Sequence, residues 1–367
     1  MNSRKKIRIA IIGLGNCASS LIQGIEYYRK RPNEINGLTL RAIHGWDISD
    51  IEVVAAFDID QRKIGKSLKD AIFSPPNVAT IFEPEIPDNG LKVMASPLLD
   101  GMPSHMYSLP EEQRFQPAEN LDRIGISDVV ACLQSVKPDF LICYLPVGAS
   151  SAVSFYAECA LEAGVSFINA VPVFIASNQK WIKRFQKRNL IVVGDDIKSQ
   201  FGSTILHRVL VNTVERRGIT LNNTYQLNAG GNTDFLNMLD NSRVITKRKS
   251  KVQSVQSQVQ STTCLVHAGP SDYVPHLKDN KVAYINIKGS GFGNLPIEID
   301  VKLSVEDSTN SAGVMVDVIR AAYIEKLQGA KGCLKKLSAY GFKSPIQQYT
   351  DHDLLVWFQD WTKHGTN

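Results

Sequence analysis

Four basic residues occur within the six residues 246–251, TKRKSK, of a chain that is otherwise only mildly basic. On a helix, Lys247 and Lys251 would share one face because they are four residues apart, and like charges at that spacing repel by about 0.2–0.5 kcal/mol. A charge run of this kind is commonly a solvated surface. An anionic group between the two ammonium groups would reverse the sign of that interaction, so the segment is also a candidate anion site.

The segment GLGNCA, residues 13–18, has the GxGxxA spacing of a dinucleotide-binding loop and follows the apolar stretch IRIAII. Gly13 permits a tight turn, Gly15 lets a pyrophosphate approach the backbone at a helix start, and Ala18 allows close helix packing. Asn16 and Cys17 complete the predicted cofactor-binding loop. The pattern is informative here because a predicted strand precedes it and a predicted helix follows it.

The acidic residue expected at the end of the second strand is Asp58, whose carboxylate could accept hydrogen bonds from both ribose hydroxyls. Asp58 lies 45 residues after Gly13, instead of about 20, and the polar loop 31–50 explains the extra length. An acid at this position repels a 2′-phosphate, so the sequence favours NAD over NADP. The nearby Arg62 and Lys63 argue in the opposite direction.

Polar or loop-forming segments also follow two later predicted strands, where ligands bind in open α/β sheets. We assign the loop after one strand and the paired carboxylates after the other to the cofactor site: Leu145, Pro146, Val147, Asp195 and Asp196. The next helix start offers hydroxyl and N–H groups suited to a phosphate, from Ser199, Gln200, Gly202, Ser203 and Thr204. The alternative is that these residues only cap that helix.

Five short β-branched runs alternate with amphipathic stretches in the first half, which predicts a parallel sheet wrapped by helices. The runs are residues 7–13, 51–58, 139–146, 165–171 and 190–196. Residues 75–117 carry eight of the 16 prolines and indicate an insertion or lid, with an edge strand around LKVMAS. The fold class is therefore α/β, a doubly wound parallel-sheet (Rossmann) NAD-binding domain over residues 1–201, with a Pro-rich insertion at 75–120.

After Gly202 the pattern changes to one long helix and four strands of alternating character, which we expect to be antiparallel. This predicts a second, α+β catalytic and oligomerisation domain over residues 202–310. Residues 311–367 are predicted to be a helical C-terminal segment that packs back on the first domain. The polar stretch 250–261, SKVQSVQSQVQS, is expected to be a mobile loop.

Composition limits the possible classes of function. The chain has 367 residues, 43% of them hydrophobic and 21% charged, and its net charge of +5 is too small and dispersed to indicate binding to nucleic acid or membrane. Six cysteines without a CxxC pair favour buried thiols in a reducing compartment, and we predict a cytoplasmic protein. The longest apolar run, residues 140–147, is too short to span a bilayer.

Seven segments together resemble the short bacterial and archaeal form of the myo-inositol-1-phosphate synthase family: GLGNCASSLIQGIEYY, VAAFDID, YLPVG, NAVPVFIAS, GDDIKSQFGSTILHR, NAGGNTDFLNM and EDSTNSAGV. The resemblance implies an NAD-dependent isomerase of inositol and phosphoinositide biosynthesis, usually a homotetramer, which turns D-glucose 6-phosphate into 1D-myo-inositol 3-phosphate. In that reaction C5 is oxidised, C6 is enolised and attacks the C1 aldehyde, and the hydride is then returned.

The resemblance also implies roles for individual residues. The active-site lysines of the family correspond to Lys247, Lys251, Lys281 and Lys343. The first and last of these are assigned to proton transfer and stabilisation at the C5 oxygen, and the other two to the phosphate and the C1 oxyanion. Polar positions that orient the lysines, the nicotinamide, the phosphate or a bound cation of unknown identity correspond to Asp196, Asn232, Asp234 and Asp307. Lys249 departs from the family, which has an apolar residue there.

Two other classes of function compete with this one. A plain NAD-dependent dehydrogenase, or a carbocyclase acting on another sugar phosphate, would share the glycine loop, but a dehydrogenase would not need four lysines from three segments. A non-catalytic NAD-sensing protein would tolerate loss of these lysines, all of which are present.

Overall fold

The computed structural model describes residues 5–364, so the first four and last three residues of the predicted domain ranges lie outside it. The first part of the chain alternates strands and helices. Its strands are β1 Ile7–Ile12, β2 Ala42–Ile43, β3 Trp46–Asp47, β4 Ile51–Asp58, β5 Met94–Ala95, β6 Phe140–Cys143, β7 Ser166–Asn169 and β8 Ile191–Gly194. Its helices are α1 Asn16–Lys30, α2 Leu68–Ala71, α3 Ile126–Val136, α4 Ser150–Ala163 and α5 Gln179–Lys187.

The rest of the chain adds a second sheet and further helices. The helices are α6 Ser203–Arg216, α7 Thr233–Asn237, α8 Asn241–Gln256, α9 Asp307–Leu327, α10 Lys335–Gly341 and α11 Asp351–His364. The strands are β9 Thr220–Gly230, β10 Leu265–Tyr273, β11 Asn280–Ser290, β12 Pro296–Glu306 and β13 Gly332–Cys333.

Seven strands form one parallel sheet in the order β13-β8-β7-β6-β1-β4-β5. Successive side chains of β1 point to opposite faces: Ile9 and Ile11 pack in the apolar layer that includes α1 and α9, whereas Ala10 and Ile12 pack in the layer that includes α4. Helices on both faces confirm the predicted doubly wound fold. The strand order reverses between β1 and β6, where such sheets bind ligands.

The C-terminal segment returns to this first sheet. Strand β13 pairs with β8 at the sheet edge, and α9 packs along α1. The structure therefore places residues from both ends of the chain in one apolar layer. The predicted domain boundaries themselves stay a prediction.

The second sheet has the order β10-β9-β11-β12. Strand β11 is antiparallel to both neighbours, but β9 and β10 are parallel, so the antiparallel expectation was wrong for that pair. The connection explains the difference. Helices α7 and α8 carry the chain from the end of β9 back to the start of β10, and a helical crossover of this kind produces a parallel pair.

The polar stretch 250–261 is largely helical, so the predicted mobile loop was wrong over residues 250–256, which continue α8. One face of this turn, formed by Ser250, Lys251, Ser254 and Val255, is buried. Ser and Gln gave the segment the composition of a loop, although its buried face needs small residues to lie close to α6. No helix within residues 5–364 is long and apolar enough to cross a membrane.

Candidate active site

A cleft lies at the carboxyl ends of the first sheet and extends to the second sheet. Most of the residues selected from the sequence line it: Gly13, Gly15, Asn16, Cys17, Asp58, Leu145, Pro146, Val147, Ser199, Gly202, Ser203, Thr204, Asn232, Asp234, Lys247, Lys251, Lys281, Asp307 and Lys343. The Pro-rich insertion contributes Ser96, Pro97, Leu98, Gly101 and Phe115 to the same wall. The cleft is therefore shared by the glycine loop and the lysines.

The glycine loop has the geometry that a bound pyrophosphate needs. Gly13 has φ +83°, and a Cβ there would lie 2.8 Å from the carbonyl oxygen of Tyr144. Gly15 is the N-cap of α1 and leaves the helix without a side-chain cap, and a Cβ at this position would meet no protein atom within 4 Å. The N-terminus of α1 is thus open toward the cleft. Ala18 does not line the cleft and is fully buried under the helix, as its predicted packing role requires.

Asp58 ends β4 beside the glycine loop. One carboxylate oxygen accepts from the Leu14 N–H at 2.8 Å, and the other accepts from the N–H groups of Ile59 and Asp60 at 2.8 and 2.9 Å. These bonds hold a negative charge at the position where a ribose would bind.

Two cations near Asp58, Arg62 and Lys63, weakened the argument for NAD. Both form hydrogen bonds or ion pairs with other groups of the protein. Arg62 forms an ion pair with Asp60 and donates to the carbonyls of Glu111 and Arg114. The buried Lys63 ammonium group donates to the carbonyl of Leu14 at 2.7 Å. Arg62 does not line the cleft, whereas Lys63 does, with its ammonium group 4.0 Å from the Asp58 carboxylate.

The four lysines converge from α8, β11 and the loop after α10. Lys247 and Lys343 each donate to the same carboxylate oxygen of Asp196 at 3.0 Å, and Ser250 donates to its other oxygen at 2.6 Å. Asp196 is fully buried and does not itself line the cleft, so it positions two lysines and does not touch a ligand directly.

The other two lysines differ in their partners. Lys281 forms an ion pair with Asp307 at the start of α9. Lys251 is only 6% exposed, and its ammonium group has no carboxylate or hydrogen-bond partner within residues 5–364. A phosphate or oxyanion in the cleft would supply that missing partner.

Burial and neighbouring charges separate the pKa values of these lysines. Burial lowers the pKa of Lys343 to about 8, although Asp196 opposes the shift. Burial also lowers the pKa of Lys251, and the positive charges of Lys281, Lys343 and Lys247 add to that effect. For Lys247, burial is outweighed by Asp196 and Asp234, which raise its pKa. Lys343 is therefore suited to proton transfer, and Lys247 is suited to remaining charged.

The N-terminus of α6 forms a second opening toward the cleft. Its N-cap is Gly202, which provides no side-chain cap, so the first N–H groups of the helix are available for an anion. The Ser203 hydroxyl is already used, because it donates to Asn228 at 3.0 Å and accepts from Gln226 at 2.9 Å. Ser203 can therefore offer only its backbone N–H to an anion. Thr204 and Ser199 also line the cleft and can offer hydroxyl groups.

Asn232 and Asp234 lie at the start of α7. Asn232 caps this helix by accepting from the N–H groups of Asp234 and Phe235, and its amide donates to Asp279. Burial raises the pKa of Asp234, whose carboxylate accepts a long, 3.5 Å hydrogen bond from the Val147 N–H. Asn232 is thus occupied by structural bonds, while Asp234 faces Lys247 across the cleft.

Besides Ala18 and Asp196, two more predicted ligand-binding residues do not line the cleft. The Asp195 carboxylate accepts four hydrogen bonds, from Asn169, the Ala176 N–H, and the N–H and hydroxyl of Ser177, and burial raises its pKa to about 6. Gln200 donates to the carbonyl of Gly37 at 3.0 Å. Asp195 thus holds the segment after β7, and the structure does not bring either side chain to a cofactor or phosphate.

Sequence reasoning missed Ser250 and Asp279, two buried residues that support the site without lining the cleft, and it also missed cleft-lining residues such as Asn77, Ser308 and Ser311. Ser250 holds Asp196, and the buried Asp279 accepts from Asn232 and from the N–H and hydroxyl of Ser308. Burial and the charge of Asp307 raise the pKa of Asp279 to about 7. Asp279 stands two residues before Lys281 in KDNK, and that proximity was the available signal.

The remaining cations of 246–251 lie outside the cleft. Arg248 is exposed and borders a separate surface depression beside Pro270. Lys249 is exposed, and its ammonium group lies 5.7 Å from the ring centre of Phe174. The charge run therefore divides into two cleft-lining lysines, of which Lys251 is buried and Lys247 partly buried, and two exposed cations.

Known proteins resemble this chain in both sequence and fold. The profile of the family Myo-inositol-1-phosphate synthase matches residues 202–308. Inositol-3-phosphate synthase of Mycolicibacterium smegmatis is 45% identical over 354 residues, covering 94% of this chain and 95% of that protein. The Corynebacterium glutamicum protein of the same name is 44% identical over 358 residues, covering 95% and 96%. The crystal structure of Ari2 superposes with a TM-score of 0.77 at 33% identity and 98% coverage of both chains.

Proposed function

The chain belongs to the myo-inositol-1-phosphate synthase family, and we propose that it is an NAD-dependent isomerase that converts D-glucose 6-phosphate into 1D-myo-inositol 3-phosphate. The observation that carries this proposal is the convergence of four lysines from three segments beside the open N-terminus of α1. A dehydrogenase would need one proton acceptor. An enzyme that also stabilises an enolate, a phosphate and a C1 oxyanion needs several cations.

The residues of the glycine loop fit NAD. The open N-terminus of α1 would hold the pyrophosphate, Asp58 the adenosine ribose, and Leu145, Pro146 and Val147 the nicotinamide end. Bound NAD+ would supply a reversible hydride acceptor for C5. The Cys17 thiol lies 3.8 Å from the Ser308 hydroxyl and accepts from the Ser311 hydroxyl at 3.6 Å, which links the loop to α9.

Lys343 and Lys247 act together at the C5 oxygen. Lys343 accepts the proton of the C5 hydroxyl, since its lowered pKa leaves a useful fraction of the neutral amine near neutral pH. Lys247 keeps its charge and stabilises the negative charge that develops on this oxygen during enolisation at C6. Asp196 binds both ammonium groups through one oxygen and so fixes their separation.

Lys251 and Lys281 serve the phosphate and the C1 oxygen. The N–H groups at the start of α6, with Ser199 and Thr204, bind the phosphate. Lys251 then gains the anionic partner that it lacks in the protein alone. Enolisation releases the C6 proton, the C6 carbanion forms a bond to C1, and the aldehyde oxygen takes up one proton beside Lys281. Return to C5 of the hydride that bound NAD+ would have accepted, with the proton held by Lys343, would leave substrate and product at the same oxidation level.

No sequence feature of the site favours a different sugar phosphate. Lys249, which departs from the family pattern, is exposed beside Phe174 and does not reach the cleft. A bound cation is also part of the proposal, although no group of three His, Cys, Asp or Glu side chains within the described part of the chain could hold a metal.

A homotetramer is proposed from the outer face of the second sheet. Large apolar or aromatic side chains are exposed there, including Tyr225, Leu227 and Tyr284. Light scattering should give a mass near four chains, and a monomer would contradict this proposal. A cytoplasmic location is supported by the six cysteines, which are all free thiols.

The proposed activity is tested by following glucose 6-phosphate by phosphorus NMR with NAD+ at much less than one equivalent. We expect complete conversion to a single new phosphate monoester without accumulation of NADH. Conversion limited to the amount of NAD+, with NADH formed in step, would instead identify a dehydrogenase. Lys343→Met is the matched control because it should bind NAD but leave the substrate unchanged.

A further inference from the structure

Arg243, Lys247 and Lys251 occupy successive turns of one face of α8. Like Lys251, Arg243 is buried, with an exposure of 8%. Unlike the lysines, it does not line the cleft. A buried arginine next to the predicted catalytic lysines, but pointing away from the substrate, must be paired with something else.

The partners of Arg243 belong to three segments that meet at the cofactor end of the cleft. One guanidinium nitrogen donates to the carbonyl of Val147 and to the side-chain oxygen of Asn237, both at 3.3 Å. The other terminal nitrogen donates to the carbonyl of Asp100 at 2.5 Å. We call these three hydrogen bonds the Arg243 clasp.

Two of these partners are tied to the wall of the cofactor cleft. Val147 lines it directly, and its carbonyl also accepts from the Asn237 amide at 2.7 Å. The Asp100 carboxylate accepts from the N–H groups of Ser151 and Ala152, and thereby caps the N-terminus of α4. Asp100 also stands within the Pro-rich insertion, whose neighbouring Gly101 lines the cleft.

The clasp also connects back to the lysines. The N–H of Val147 donates to the carboxylate of Asp234, and the negative charge of Asp234 raises the pKa of Lys247. Lys247 itself lies one helical turn beyond Arg243. The loop 145–147 is therefore attached to α7 and α8 through both the N–H and the C=O group of Val147.

We propose that Arg243 is a positioning residue that fixes the cofactor loop 145–147 and the insertion against α8, so that the cofactor site is formed only when the lysine helix is in place. The inference rests on the proposed function for the identity of the cofactor. The planar guanidinium group suits this task because it directs donors to several carbonyls at once, which an ammonium group cannot do in the same geometry.

The test compares Arg243→Gln and Arg243→Lys with Arg248→Gln, a control that removes an exposed cation from the same helix. The dissociation constant of NADH is measured by fluorescence without sugar phosphate, and that of glucose 6-phosphate by calorimetry without cofactor. Arg243→Gln should weaken NADH binding by at least about tenfold, the scale of one lost hydrogen bond from a charged donor. Glucose 6-phosphate binding should stay within about twofold, because α6 and Lys281 lie outside the clasp.

Arg243→Lys should fall between the wild type and Arg243→Gln in NADH affinity, because it keeps the buried charge but places all its donors on one nitrogen atom, which cannot reach all three partners. If the glutamine variant does not fold, Arg243→Lys still tests the proposal. Asn237→Ala is a second independent test, because it removes the other donor to the Val147 carbonyl and should also weaken NADH binding. Unchanged NADH affinity in these variants, or equal weakening of both ligands, would overturn the proposal. These readouts need no turnover, so a wild-type protein that binds NADH but forms no inositol phosphate would refute the proposed function alone.

Discussion

Replacing Lys251 with methionine is expected to stabilise the ligand-free protein while removing most of its activity. Lys251 is buried, has no carboxylate partner within residues 5–364, and lies near three other lysines that help to lower its pKa. Methionine keeps the length and apolar stem of the side chain and removes the ammonium group. The variant therefore shows separately how the ammonium group changes the free energy of unfolding of the ligand-free protein and how it changes turnover.

Stability and activity are expected to change in opposite directions. Relief of an unfavourable group at a functional site commonly adds about 0.5–2 kcal/mol to the free energy of unfolding. Loss of one preorganised group that stabilises an oxyanion lowers turnover by about 10²–10³. Lys247→Met provides the contrast, because breaking a buried ion pair costs about 3–5 kcal/mol, or less here since Asp196 keeps Lys343 and Ser250.

The assay combines urea unfolding of the ligand-free variants with inositol phosphate formation at saturating substrate. Arg248→Ala is the control, because this exposed side chain should change turnover by less than about tenfold. The reasoning would be refuted if Lys251→Met were less stable than the wild type, or if all three variants lost activity equally. The second result would return the segment 246–251 to a general surface-charge role.

Three further predictions concern protons and cofactor choice. Turnover should rise as the pH increases through about 8, because Lys343 must lose its proton to act as a base, and a kcat profile that is flat across this range would contradict its role. Calorimetry should show NAD binding at least about tenfold tighter than NADP because Asp58 repels a 2′-phosphate, and equal affinities would argue against that reading of the carboxylate. Binding of glucose 6-phosphate should take up protons at pH values above the lowered pKa of Lys251 in the free protein, since the dianion raises that pKa; binding heats that do not depend on the ionisation enthalpy of the buffer at any pH would exclude this uptake.

The parts of the site carried by contiguous segments were predictable from the sequence. The glycine loop and Asp58 follow strands whose apolar pattern is clear, and the carboxyl ends of neighbouring parallel strands must meet at one edge. Lys281 and Lys343, by contrast, came from the family resemblance alone, because nothing in their local pattern distinguishes them from other lysines.

The direction in which a side chain points was the main thing that the sequence could not provide. Asp195 and Asp196 are neighbours, yet one is bonded behind β7 and the other holds two lysines. Asp196 has φ +63°, so the chain turns between the two carboxylates in a way that no periodicity predicts. Asp279 was missed for a related reason, since its role depends on Asn232 and Ser308, which are distant in sequence.

The parallel pairing of β9 and β10 and the full length of α8 also escaped the sequence pattern. Both depend on the same fact, that residues 250–256 form a helix with a buried face, which includes Ser250 and Ser254. Serine and glutamine are compatible with either helix or loop, and packing against α6 decides between them. Tertiary contacts therefore settled a question that local composition left open.

The most direct measurement follows a deuterium atom at C5 of glucose 6-phosphate. The protein is incubated with this substrate in ordinary water and with NAD+ at much less than one equivalent, and the product is analysed by mass spectrometry. If the hydride removed from C5 returns to the same carbon, each inositol phosphate molecule will retain the deuterium. Product without deuterium, or deuterium collecting in reduced cofactor, would contradict an NAD-dependent cyclisation with no net redox change.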